Sequence, residues 1–407
     1  YKEVDKIKEF ISVQEKTIEL EEPVEKQSLE EVIKESKLPP IVRAIDLLIY
    51  NALQKRASDI HIEPQEDRLL VKYRIDGMLN EEFSFPKKNQ NAVIARLKII
   101  SSLNLTETRL PQDGRFKVKF QNREIDFRVS SLPTYFGEKF VLRILDKENL
   151  SFGLKNLGFS EEPLKIFEEA IKAPFGIILV TGPTGSGKST TLYSIINQLN
   201  TPDKNIITIE DPIEYHIDGI TQIQVLPEIG LDFAAGLRSV LRQSPDIIMV
   251  GEIRDAETAD IAIKASLTGH LVLSTLHTTT AAGSVSRLLN MQIEPFLLAS
   301  SLIGVLAQRL VRRLCQKCKE ELKISNAIKE KYLLDTDIIF KPKGCSFCQN
   351  TGYKGRIAIC EYLQVNDKLR ELINNSSPEP IIKREARLSG MKTLREDGIL
   401  KVKNGIT

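Results

Sequence analysis

The run Gly182, Pro183, Thr184, Gly185, Ser186, Gly187, Lys188, Ser189 constrains this chain more than any other, because it satisfies G-x-x-x-x-G-K-[ST] in full. Such a loop works only where a buried strand stops and a helix begins, and the flanks supply both. Gly176 to Thr181 is an apolar run, and Leu192, Ile195, Ile196 and Leu199 recur at i, i+3, i+4, i+7. The glycines let backbone N–H groups curl around phosphate oxygens, and the helix N-terminus adds positive potential. Lys188 is placed to reach the β- and γ-phosphates of a nucleotide, and the Ser189 hydroxyl to ligate Mg²⁺. Residues 182–190, Thr190 included, are therefore expected to bind ATP.

From Gly176 onward strands and helices alternate, which predicts a mainly parallel α/β sheet. Turnover asks for more than the loop: a metal-supporting acid on a neighbouring strand and a group that orients water. Asp246 to Glu252 reads as a buried strand ending in a carboxylate, with Gly251 where a Walker B Asp commonly falls. Ile206 to Glu214 is a second strand that delivers Glu210, Asp211 and Glu214 as it breaks at Pro212. The plainer role for any one of these acids is to cap a helix or to pair with Arg238, Arg242 or Arg254. A third strand, His270 to Thr275, ends near His277, a polar tip able to sense a γ-phosphate.

At 407 residues the chain predicts two or three domains. Residues 1–36 form a Lys/Glu-rich lead, expected to be helical or partly disordered, and 37–147 an α+β domain. In that domain Ile41, Ala44, Ile45, Leu48 and Ile49 share a helix face, Asp59 to Glu63 alternates with period two, and Asp76-Gly77 marks a turn. A linker at 148–158 leads to the α/β domain at 159–309, a cysteine module at 310–360 and C-terminal helices at 361–407. Pro295 to Gln308, the longest uncharged stretch, is shorter than the ~20 residues a bilayer requires and reads as a buried helix. The start, Tyr1-Lys2-Glu3, carries neither an initiator Met nor a signal-peptide pattern, so a fragment or processed form in the cytoplasm is expected. Lys+Arg 57 against Asp+Glu 55 leaves a formal charge of +2. With no dense basic run and no basic or aromatic-rich channel segment, a nucleic-acid partner is not expected.

Cys315 with Cys318, and Cys345 with Cys348, are two C-x-x-C pairs. In a cytoplasmic chain such pairs are more often metal ligands than disulfides, and together they complete a tetrahedral Zn²⁺ site. Four protein ligands leave no open position, so the metal would be structural.

Taken together, these segments resemble the ATPases of type II secretion and type IV pilus assembly. The resemblance rests on the phosphate loop, on Thr208 to Tyr215 as the family's Asp box, and on Val250 to Asp255 as its Walker B. It extends to Thr268 to His277 as the His box and to Ala57 to Pro64 in the N-terminal domain. It implies a PAS-like N-terminal domain, a RecA-like ATPase domain and a tetracysteine zinc module, assembled as a homohexamer. Carried over by position, Glu214 is the group that activates water, with Glu210 its rival, and Glu252 supports Mg²⁺. Arg115 and Arg128 are the basic residues that stabilise charge on the phosphates. The resemblance further implies ATP hydrolysis at the inner membrane's cytoplasmic side. The motor would drive a platform protein that polymerises pilin-like subunits, and a membrane-anchored docking protein would recruit it.

Overall fold

The structure, a computed structural model, describes residues 40–146, 153–332 and 334–407 and the backbone of 19–21. Of the expected lead only 19–21 falls within these residues, as a short strand and not a helix; the first part of the expected linker lies outside them. The chain divides into two compact units at residues 148/149.

The first unit is built on a seven-stranded antiparallel sheet of order β1-β5-β6-β7-β2-β3-β4. Its strands are β1 (Glu19–Glu21), β2 (Asp59–Pro64), β3 (Arg68–Ile75), β4 (Met78–Pro86), β5 (Gln112–Phe120), β6 (Arg123–Thr134) and β7 (Gly137–Leu145). Asp76 and Gly77, at φ 49° and 87°, make the tight link from β3 to β4 that an Asp-Gly pair favours. Period-two alternation sends Ile60, Ile62, Val71, Phe127, Phe140 and Leu142 to one face. There they form a core with the helices Pro40–Gln54 and Gln90–Ile100 through Ala44, Ile45, Leu48, Val93 and Leu97. The alternate positions put Arg115, Arg128, Arg143, His61 and Lys72 on the opposite face, and none of these is buried.

The second unit holds β8 (Gly176–Thr181), β9 (Ile206–Glu210), β10 (Thr221–Gln224), β11 (Ile247–Val250), β12 (Leu271–Leu276), β13 (Leu302–Leu314), β14 (Glu320–Lys323), β15 (Ile338–Lys341) and β16 (Tyr353–Gln364). Its main sheet has the order β10-β9-β11-β12-β8-β13-β16, parallel up to β13 and antiparallel at β16. Both faces are covered: Ile177, Leu179 and Val272 belong to one core, Ile178, Val180 and Leu273 to another. Such strands read as continuous apolar runs. That explains one difference from expectation. The stretch from Pro295 is helical only to Ser301, and from Leu302 it is β13, an interior strand between β8 and β16, whose two-sided burial gives the same apolar signature as a buried helix. The sheet therefore continues past Arg309, and β14 and β15 form a separate hairpin between β13 and β16.

Candidate nucleotide site and cysteine cluster

The phosphate loop follows β8 and runs into the helix Lys188–Leu199. Two of its glycines are sterically required. At Gly182, with φ 154°, a β-carbon would lie 2.5 Å from Ser186 Oγ and 2.6 Å from the Gln308 carbonyl oxygen. At Gly187, with φ 90°, it would lie 2.7 Å from Gln308 Nε2. Lys188 is buried and its ammonium donates to the carbonyls of Gly182 (2.9 Å) and Pro183 (3.2 Å). Burial lowers its pKa below the ordinary lysine value, against the opposing pull of Glu252 and with help from the nearby Arg309 charge. The Ser186 hydroxyl is buried with no hydrogen-bond partner, and Ser189 is exposed in the first helical turn. The Thr190 carbonyl accepts from Ser194 Oγ at 2.8 Å. Tight glycines, a buried ammonium and an orphaned hydroxyl in one loop suit a phosphate ligand.

Strands β11 and β12, adjacent in the sheet to each other and, through β12, to β8, bring Glu252 and His277 to the same edge. His277 Nε2 lies 3.0 Å from Glu252 Oε2, and Arg254 grips the other carboxylate oxygen while also facing Asp211 at 3.6 Å. Burial acts to raise the Glu252 pKa, but Arg254 and His277 together hold it below the usual glutamate value. Asp255 has the plainer task, capping the helix Ala256–Leu267 by accepting from the Thr258 N–H at 2.7 Å.

Glu210 and Glu214 part company. Glu210, at the end of β9, is 4% exposed and accepts from Tyr193, from Thr208 Oγ1 at 2.6 Å and from Gln222 Nε2 at 3.1 Å. Glu214 is half-buried in the irregular segment after β9, its N–H donating to Tyr193 Oη at 3.2 Å. Arg115 and Arg128 belong to the first unit, directly opposite each other on β5 and β6. Three residues at the nucleotide site carried no motif. Gln308 ties the loop down, donating to the Ser186 carbonyl at 3.0 Å and accepting from Thr191 at 2.7 Å. Arg309 bonds the Thr279 carbonyl at 2.9 Å. Tyr193 is the third. Gln308 ends the stretch expected to be helical, so its place beside the loop shows only once β13 lies next to β8.

Cys315 and Cys318 follow β13, and Cys345 and Cys348 precede β16. Their four sulfurs lie within 4.8 Å of one another, with Cys315–Cys345 at 3.9 Å and Cys318–Cys348 and Cys345–Cys348 at 3.7 Å. A disulfide would need about 2.05 Å. A tetrahedron with ligands at ~2.3 Å has edges of about 3.8 Å, close to these three separations. Burial acts to raise the Cys348 pKa, but the N–H groups of Cys345 and Gly352, each 3.2 Å from its sulfur, together with the Cys318 and Cys345 thiols, hold it below the ordinary cysteine value. Cys360 stands apart, buried on β16. Among the described residues no helix is long and apolar enough to cross a membrane.

Residues 34–407 match the family model described as Type II/IV secretion system protein. The type IV pilus assembly ATPase PilB of Myxococcus xanthus is 51% identical over 393 residues, covering 94% of this chain and 69% of that protein. Type II secretion system protein E of Pseudomonas aeruginosa is 48% identical over 383 residues, covering 93% and 76%. Among solved structures, the pilus retraction motor PilT with bound ADP aligns at a TM-score of 0.61 and 28% identity, covering 88% of this chain and 93% of its own. The ATPase DotB of Legionella pneumophila shares the fold at a TM-score of 0.67 and 23% identity, covering 94% and 95%. With a complete phosphate loop facing a Glu–His pair and these relatives along nearly its whole length, the chain belongs to the type II/IV secretion system protein family and is one of its ATPases.

Proposed function

We propose that this ATPase is a fibre-assembly motor. It hydrolyses ATP as a homohexamer in the cytoplasm, peripherally bound to the inner membrane. There it drives polymerisation of pilin or pseudopilin subunits through a membrane platform protein, and a membrane-anchored docking protein recruits it by its cytoplasmic domain. The observation that carries the reading is the buried Lys188 and the Glu252–His277 pair gathered at one sheet edge, in a chain whose relatives are named for pilus assembly and type II secretion.

In this reading residues 182–190 hold the nucleotide, with Ser189 and Glu252 supporting Mg²⁺, which supplies positive charge beside the phosphate oxygens. Lys188 stabilises the γ-phosphate as it leaves, Glu214 orients the attacking water, and His277 reports the γ-phosphate to Glu252. Arg115 and Arg128 add positive charge from the first unit, which we take to be PAS-like. The second unit we take to be RecA-like. The four cysteines hold Zn²⁺ in a closed, structural site, inserted between two strands of the main sheet.

The test is phosphate release by purified, zinc-replete protein supplied with ATP and Mg²⁺, beside Lys188→Ala and Glu214→Gln. A deletion strain separates the two cargo classes: lost surface pili point to pilus assembly, lost exoprotein export to type II secretion. A wild-type hexamer that releases no phosphate would end the motor interpretation.

A further inference from the structure

The segment carrying Glu214, between β9 and β10, has no regular secondary structure, so side chains must fix its position. Tyr193 and Gln222 share that work. Tyr193, on the helix that begins with Lys188, is 2% exposed. Its hydroxyl donates to Glu210 and accepts from the N–H groups of Glu214 at 3.2 Å and Tyr215 at 3.4 Å. Its ring meets that of Tyr215 edge-on, with centroids 5.7 Å apart. Gln222 grips the same segment from the next strand, donating to the Tyr215 carbonyl at 2.9 Å and accepting from the Ile217 N–H at 2.9 Å. Its Nε2 also reaches Glu210.

We infer that Tyr193, Glu210 and Gln222 form a bracket that positions Glu214, so that Glu210 is an anchoring carboxylate and not the water-orienting group. The inference deepens, and rests on, the reading of Glu214 as that group. A phenol can donate and accept at once, which is what a link between a carboxylate and two amides requires. Burial and the adjacent Glu210 charge push the Tyr193 pKa well above the ordinary tyrosine value, which keeps the donor proton in place. Glu210 is 4% exposed and already accepts three hydrogen bonds, so a water has little access to it. The consequence is geometric. One helix starts with the lysine that holds phosphate and carries the hydroxyl that places the Glu214 backbone, so the reacting groups share a rigid ruler.

The experiment compares full-length Tyr193→Phe, Gln222→Ala, Glu210→Gln and Glu214→Gln with wild type for ATP turnover, ADP affinity, melting temperature and amide exchange over 213–217. A displacement of ~1 Å in such a group can cost on the order of 100-fold, so Tyr193→Phe should lower kcat by about 10- to 100-fold. KM and ADP affinity should stay within about twofold, because only the transition state uses the placement. Faster exchange at Glu214 and Tyr215 should accompany the loss. Gln222→Ala, on the sheet's edge strand, should show a weaker form of the same split and keeps the test open if Tyr193→Phe misfolds. Wild-type kcat in Tyr193→Phe beside a dead Glu214→Gln overturns the bracket. So does a loss in ADP affinity as large as the loss in kcat, or a Glu210→Gln enzyme as dead as Glu214→Gln while Tyr193→Phe stays active. Full turnover in Glu214→Gln instead removes the underlying role of Glu214, and faster amide exchange in Tyr193→Phe would still support the bracket itself.

Discussion

In the proposed mechanism Lys188 acts from a position already withdrawn from water. Its ammonium is buried against two carbonyls, so phosphate oxygens would meet a charge that needs little further desolvation. Lys188→Ala should therefore lower turnover by at least about 100-fold, the scale of losing one preorganised charge partner; phosphate release at saturating ATP measures it. Asp46 illustrates the opposite economy. Burial pushes its carboxyl up to about 6 although Arg96 pulls the other way, and one of its oxygens is buried without a hydrogen-bond partner. The native carboxyl titrates near 6 and the unfolded one near 3.8, so the folded state binds the extra proton between those values. Its ionisation cost is absent below that window, grows through it and is constant above it. Asp46→Asn should then stabilise the first unit at pH 7 by about 1–2 kcal/mol, after discounting for partial solvent screening. The gain should vanish near pH 4, as denaturant titrations at the two pH values would show. The phosphate loop and the cysteine pairs were legible in the sequence because each is a local pattern with one chemistry, while the acids at the strand ends were legible as residues but open as to role. Tyr193, Gln308 and Gln222 were not, because their partners lie on other elements and no spacing along the chain encodes those meetings.

At the scale of elements, the cysteine cluster joins segments that sequence places 30 positions apart, Cys315 with Cys345 and Cys318 with Cys348. It lies where β13 leaves the main sheet and β16 returns to it, so the two pairs close the loop that carries the β14–β15 hairpin. Elemental analysis should find about one zinc per chain, the stoichiometry four thiolates allow. Cys345→Ser should lose most of that metal and lower the melting temperature, since the binding energy of a structural site is folding energy. A chain that melts identically with and without chelator would remove the structural role. The element boundaries also show where reading a sequence stops. The strands β2, β8, β9, β11 and β12 and the loop's helix were visible from period and apolar runs. The helix-to-strand change at Ser301/Leu302 was not, because a strand buried on both faces shows no alternation, and only its hydrogen bonding to β8 and β16 distinguishes it.

For the whole molecule, the informative tension is between stability and activity in the first unit. Arg115 and Arg128 stand directly opposite each other across β5 and β6, and Arg143 is opposite Arg128 on β7. Asp59, next in line on β2, is salt-bridged to Arg143 at 3.2 Å and to Arg74 at 3.4 Å. Like charges facing each other across strands cost a sheet a few tenths to about 1 kcal/mol per pair. In the proposed mechanism Arg115 and Arg128 supply positive charge to the phosphates. Arg115 is exposed, so its truncation removes the repulsion without opening a cavity. Arg115→Ala should therefore leave the first unit as stable as wild type, or more stable by up to about 1 kcal/mol. Turnover should nevertheless fall by about 10- to 1,000-fold, the range over which basic groups act on a leaving phosphoryl. ADP affinity should change by no more than a few-fold, because the role proposed for Arg115 concerns charge that develops in the transition state. Denaturant titration, phosphate release and ADP binding on one preparation decide it. Stability lost in step with turnover would make Arg115 an ordinary surface residue of the sheet, and turnover retained at gained stability would make the arginine row a docking face for something other than the nucleotide.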